Sequence, residues 1–110
     1  MASTQINTAM LSGLRQHIVD MVSYAGYRID GVWHRAEIDT KAVQGNGAVH
    51  VTFYVHRAEG SASPATAFRL MNADGQALAM REETIEFAQH MDAVLYRFKF
   101  GVSVGETPST

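Results

Sequence analysis

The run "HVTFYVH" (50–56) carries a histidine at each end. Histidine is the side chain that titrates nearest neutral pH and the commonest metal ligand, so chemistry is sought here first. Alternation places His50, Thr52, Tyr54 and His56 on one face of a strand, with Val51, Phe53 and Val55 on the other. Extended chain of this length separates the two imidazoles by roughly 20 Å. A zinc ion holds its ligand nitrogens at about 2 Å. His50 and His56 of one chain therefore cannot share a metal, and both are expected on a solvated outer face. Only a symmetry axis in an oligomer could bring such residues together.

The other candidate groups have the wrong neighbours or the wrong spacing. His34 is expected opposite Tyr27 on a core-facing side, as a hydrogen-bonded histidine with no recognisable nucleophile. His17 adjoins the apolar stripe of a helix, and His90 lies in a turn. No HExxH or two-histidine-one-carboxylate spacing occurs. In "REETIE" (81–86), Glu82 and Glu86 would share a strand face about 13 Å apart. Paired glycosidase carboxylates stand roughly 5–9.5 Å apart. That acidic run is expected as a solvated edge that resists sheet-to-sheet aggregation. "GNG" (45–47) falls between strands, so no helix N-terminus receives a phosphate. The chain has no cysteine, which removes thiolate metal sites, disulfides and a cysteine nucleophile. No catalytic residue, metal site or cofactor is expected, and the chain does not read as an enzyme.

Arg28, Trp33 and Arg35 are the strongest surface candidates. A guanidinium beside an indole face makes a cation–π contact worth about 0.5–1 kcal/mol when exposed, and exposed Trp with Arg is typical of protein interfaces. Sugar platforms use the same pairing. His50, Tyr54 and His56 form a second outward set. The alternative is that Trp33 faces a second layer and the hairpin that carries it is inverted.

These residues depend on elements written in two periods. Residues 4–25 read as an amphipathic helix, with Ile6, Met10, Leu14, Ile18, Met21 and Ala25 in one stripe. Gly26 is expected to end it in the left-handed conformation. Gly13, within the stripe's reach, is either a close-approach point or a tolerated imperfection. From Tyr27 onward the period is two. "YRIDGVWHRAEI" (27–38) holds Asp30-Gly31 between β-type residues, the signature of a two-residue type I′ hairpin. That turn pairs Ile29 with Val32, Arg28 with Trp33 and Tyr27 with His34. "QGNGAV" (44–49) predicts a second hairpin, and apolar matching favours a two-residue Asn46-Gly47 loop over a three-residue one. "TAFRLMNADGQALAM" (66–80) predicts a third, with a three-residue loop, Gly75 left-handed and Leu70 opposite Leu78. "TIEFA" (84–88) reads as a short strand and "QHMD" (89–92) as a turn. "AVLYRFKFGVSV" (93–104) reads as a long closing strand.

The expected fold is mainly β (α+β): an N-terminal amphipathic helix followed by a 7–8-stranded antiparallel β-sandwich or curled sheet. Residues 1–110 form one domain, comprising the helix (4–25), the β domain (27–104) and a polar tail (105–110) expected to be mobile. A formal charge of −2 gives no basic footprint for nucleic acid. The N-terminus lacks the basic and apolar regions of a signal peptide, and no apolar run is long enough to span a membrane.

The layout resembles the small tail-module proteins of tailed bacteriophages and prophages. The leading helix, the "YRIDGVWHRAEI" and "LMNADGQALAMREE" hairpins and the closing "VLYRFKFGVSV" strand carry the resemblance. It implies a non-enzymatic structural or assembly role in a phage-like particle, with contacts to copies of itself and to other virion proteins. It also implies a location in the virion, or in the bacterial cytoplasm during assembly. The rival expectation is a small β-sandwich binding module for carbohydrate or a protein partner, using Trp33 and Tyr54.

Overall fold

The computed structural model describes residues 8–88 and 91–101. One helix, α1 (Thr8–Met21), precedes seven strands: β1 (Tyr24–Ile29), β2 (Val32–Ala36), β3 (Ile38–Val43), β4 (Ala48–His56), β5 (Ala65–Met71), β6 (Ala77–Ile85) and β7 (Ala93–Gly101). The strands form two antiparallel sheets, β2-β1-β5-β6 and β3-β4-β7, hereafter sheet A and sheet B. The architecture is the mainly β, sandwich-like α+β fold expected from the sequence.

The core is what the alternation dictates. Val49, Val51, Phe53 and Val55 of β4 are almost wholly buried, as are Phe68 and Leu70 of β5. Phe68 of sheet A stacks on Tyr96 of sheet B with ring centroids 3.8 Å apart, and Phe53 tilts against the same tyrosine at 5.4 Å. Such aromatic pairs add about 0.5–1.5 kcal/mol beyond their buried area, so this trio ties the two sheets together.

The helix is shorter than its periodicity predicts. It stops at Met21, and Tyr24, Ala25 and Gly26 belong to β1. The segment "YAGYRI" fits both periods, and pairing decides it: β1 is an interior strand hydrogen-bonded to β2 and β5. Gly26 is therefore a strand glycine rather than a helix cap. At the helix end Val22 N–H donates back to the Val19 carbonyl (3.2 Å), and Lys41 Nζ donates to the Val22 carbonyl (2.7 Å); Ser23 N–H then donates to the Met71 carbonyl (2.8 Å), starting the pairing of β1 with β5. A lysine at a helix C-terminus also meets the negative end of its dipole. Val19 and Val22 enter the core, while Met10 and Leu14 of the stripe stay exposed. Residues 4–7 of the expected helix lie outside the described residues. Nothing stands within 4 Å of the position a Gly13 side chain would take, so no close approach occurs there among the described residues.

The hairpins test the turn chemistry. Asp30 (φ 52°) and Gly31 (φ 76°) both take positive φ, and the pairs Ile29–Val32, Arg28–Trp33 and Tyr27–His34 form as expected. The second hairpin differs. Val43 pairs with Val49, and Gln44 N–H donates to the Ala48 carbonyl, leaving a three-residue Gly45-Asn46-Gly47 loop. Apolar matching misleads here because β3 is exposed along most of its length and bulges after Ile38. In the third hairpin the three-residue loop forms with Gly75 at φ 80°. A bulge beside Met71 then shifts the register, so Leu70 faces Ala79 and Arg69 faces Met80. β6 runs unbroken to Ile85, so Thr84 and Ile85 extend it and 84–88 is not a separate strand. Residues 89–90, and 102–104 of the expected closing strand, lie outside the described residues, as does the tail.

Candidate functional site

Pairing register places two cross-strand rows on the outer face of sheet A. One row is Trp33, Arg28, Ala67 and Glu82; the other is Arg35, Gly26, Arg69 and Met80. Trp33 thus lies on the outer face, and the hairpin is not inverted. Its inner face carries Tyr27 and Ile29, both buried, and His34, which stacks on Tyr27 at 5.4 Å. Val32, expected on that inner side, remains 57 % exposed at the hairpin tip.

The arginines of this face are held by rings. Arg69 Cζ lies 4.0 Å from the Trp33 ring centroid and Arg28 Cζ lies 5.6 Å from it. Arg35 Cζ stands 4.2 Å from the Tyr24 ring. Gly26 makes the Arg69 contact possible. A Cβ there would sit 3.2 Å from Arg69 Nε and 3.3 Å from its Cγ, so the arginine crosses the bare backbone of β1 to reach an indole on β2. Arg28 Nε donates to Thr66 Oγ1 (3.2 Å), and Arg35 Nε pairs with Glu37 at 3.1 Å. Arg69 Nε is buried without a hydrogen-bond partner. Arg28, Trp33 and Arg35 are brought together as expected; Tyr24 and Arg69 join them, and Gly26, expected as a helix cap, lies on this face instead. The available signal was a glycine between β-type residues, which marks a close approach of another group.

The second outward set lies on sheet B and is built differently. Thr52 is buried and shares a hydrogen bond with the Thr40 hydroxyl, also donating to Asp39 Oδ2 at 3.4 Å. Tyr54 pairs across the sheet with Leu95, and both rise from the surface about half exposed. His50 stands opposite Lys99 with Arg97 beside it. Its Nε2 is shielded and has no partner. Burial, then the positive charges of Arg97 and Lys99, hold its pKa below the ordinary imidazole value. His56 is exposed at the far end of β4, opposite Ala93. The two histidines therefore do not converge. Among the described residues no group of three or more His, Asp or Glu side chains could hold a metal ion.

Between the sheets, Tyr96 donates its hydroxyl to Glu83 (2.8 Å) and its pKa is pushed up to about 12 by burial and that bond. Arg81 donates to the Lys99 carbonyl and covers Phe98, closing the β6 side of the core. A cavity of about 380 Å³ lies between the helix end and the sheets, lined by Ile18, Met21, Leu70, Leu78 and Phe98, with Arg81 as its cation.

The fold and this surface define a helix-capped β-sandwich with an arginine–aromatic outer face. Comparison with protein-family models, curated proteins and solved structures gives no match. Among the described residues no helix is long and apolar enough to cross a membrane.

Proposed function

We propose that the chain is a non-enzymatic assembly component that docks other protein surfaces, including copies of itself, through the outer face of sheet A. The observation that carries this reading is the ring-held guanidinium set: Arg28, Arg35 and Arg69 are fixed against Trp33 and Tyr24 before any partner arrives. Tryptophan, tyrosine and arginine are the residues in which binding energy concentrates at protein interfaces. Preorganised side chains lose less conformational entropy on binding. A sugar platform needs an open indole face, whereas a guanidinium already lies 4.0 Å over Trp33, so a protein partner is favoured over carbohydrate. The resemblance in layout to phage tail-module proteins supports placing this assembly in a phage-like particle, formed in the bacterial cytoplasm and retained in the virion.

The test is the solution mass of the chain by light scattering at two concentrations, compared with Trp33→Ala and with Tyr54→Ala on sheet B. The expected result is an oligomer that Trp33→Ala dissociates and Tyr54→Ala leaves intact, with little change in melting temperature for either. An oligomer indifferent to Trp33→Ala would overturn the assignment of the face.

A further inference from the structure

We propose that copies of this chain join head to tail by strand addition, the β6 edge of one protomer extending sheet A of the next at its β2 edge. The proposal rests on the assembly reading above and names its partner and geometry.

In an antiparallel pair, residues alternate between those that turn both N–H and C=O toward the partner and those that turn both away. Ile29 and Val32 close a two-residue hairpin and so bond to each other, as do Tyr27 and His34. Trp33 and Arg35, between and beyond them, turn their N–H and C=O to the open side of β2. The same alternation runs across the sheet. Gly26 and Arg28 bond to β5, leaving Phe68 and Leu70 to bond to Arg81 and Ala79 of β6. Met80 and Glu82 then present their backbone groups on the open side of β6.

Sheet B does not offer the same pair of edges. β3 is tied to the helix end by Lys41 at mid-strand, whereas β6, bulged on either side, keeps regular pairing over Ala79–Glu82. On β7, the edge carbonyl of Lys99 is already taken by Arg81. Among the described residues no further strand pairs with either edge of sheet A, and the outer-face charges nearest each edge differ in sign, Arg35 on β2 and Glu82 on β6. Arg35 stands at the β2 edge, ion-paired at 3.1 Å with Glu37 just beyond the strand, and the cations Arg28 and Arg69 lie behind it. Glu82 stands at the β6 edge beside the 58 %-exposed Met80, with Glu86 just beyond the strand. A charged edge repels its own kind, which guards against aggregation, but it admits its complement. β2 against β2 and β6 against β6 are both disfavoured, while β6 against β2 is matched.

Strand direction agrees. Each neighbour in the order β2-β1-β5-β6 is antiparallel, so β2 and β6 run in opposite directions. A copy in the same orientation, set beside the first, therefore presents its β2 antiparallel to β6 and continues the ladder on the same outer face. Glu82 then meets Trp33 or Arg35 of the neighbour, directly or diagonally, within the reach of long cross-strand side chains. An interface of two different patches closes into a ring when its rotation allows.

The experiment measures solution mass for the wild-type chain, Arg35→Glu, Glu82→Arg and the double variant, with circular dichroism to confirm the fold. Each single reversal is expected to weaken association by about tenfold or more and lower the mass toward one protomer; the double variant restores it. An oligomer that survives both single reversals overturns the edge pairing and leaves the assembly reading standing. Loss in the singles without rescue in the double also overturns it. A wild-type chain that is monomeric at every concentration overturns both. If a reversal disturbs folding, Arg35→Gln and Glu82→Gln keep the side-chain shape and must still lower the mass; unchanged mass in both overturns the pairing.

Discussion

The outer faces of the two sheets begin from similar residues and end as different surfaces. Sheet A has two strands flanked on both sides, β1 and β5, and sheet B has one, β4. At the centre of β1 stands Gly26, and Arg69 lies across it to reach Trp33. At the centre of β4 stands Thr52, whose hydroxyl bonds to Thr40 and Asp39. The glycine opens a path along the sheet, so cations gather over rings. On sheet B the threonine is held by its own hydrogen bonds, and Arg97 and Lys99 stand beside a shielded His50. The sheet A face holds its cations against rings, while the sheet B face centres on a hydrogen-bonded threonine. Within that difference, the missing Cβ at Gly26 accounts for the Arg69–Trp33 contact.

The largest effect on this contrast is expected at Trp33. Trp33→Ala removes the ring that holds Arg28 and Arg69 and should cost association about 2 kcal/mol or more, read as a fall in solution mass. Gly26→Val comes next. Its branched side chain meets Arg69 and the His34 carbonyl at contact distances already short for a single Cβ. A loss of about 1–3 kcal/mol in folding stability is expected, with assembly lost as Arg69 is displaced; chemical denaturation and light scattering read the two effects separately. Thr52→Val keeps the shape but removes hydrogen bonds, and should cost about 1 kcal/mol while leaving assembly unchanged. If Thr52→Val dissociated the oligomer and Gly26→Val did not, the roles assigned to the two faces would be reversed.

The smallest effect is the acid limb of stability. An unfolded histidine binds its proton near pH 6.5, and folded His50 does so only at lower pH. As pH falls below 6.5 the unfolded chain takes up the proton first, so this residue's contribution to stability is present above that pH and lost below it. In His50→Gln, denaturation midpoints should fall less between pH 6.5 and 5 than in the wild-type chain.

Much of this arrangement is legible in the sequence where local chemistry leaves one solution. Asp30-Gly31 supplies two positions able to take positive φ, and the hairpin register that sets Arg28 against Trp33 follows from them. The alternation of Val49, Val51, Phe53 and Val55 likewise fixes which side of β4 is buried. Legibility fails where a choice is made by distant strands. Tyr24, Ala25 and Gly26 fit a helix end until β2 and β5 claim them. The Asn46-Gly47 register fails because β3 is exposed and its apolar residues do not set the pairing. Arg69 is absent from the expected site because its membership depends on lying across Gly26, a neighbour more than forty positions away in the chain.

The measurement that tests the account most directly is amide hydrogen exchange at Trp33 and Arg35, followed from dilute to concentrated protein. In a single protomer these amides face an open edge and should exchange fast, while that of His34, bonded to β1, is protected. The account predicts that Trp33 and Arg35 gain protection as the oligomer forms, together with Met80 and Glu82, while the outer face of sheet B is unchanged. An oligomer in which Trp33 and Arg35 remain fast at every concentration would contradict it.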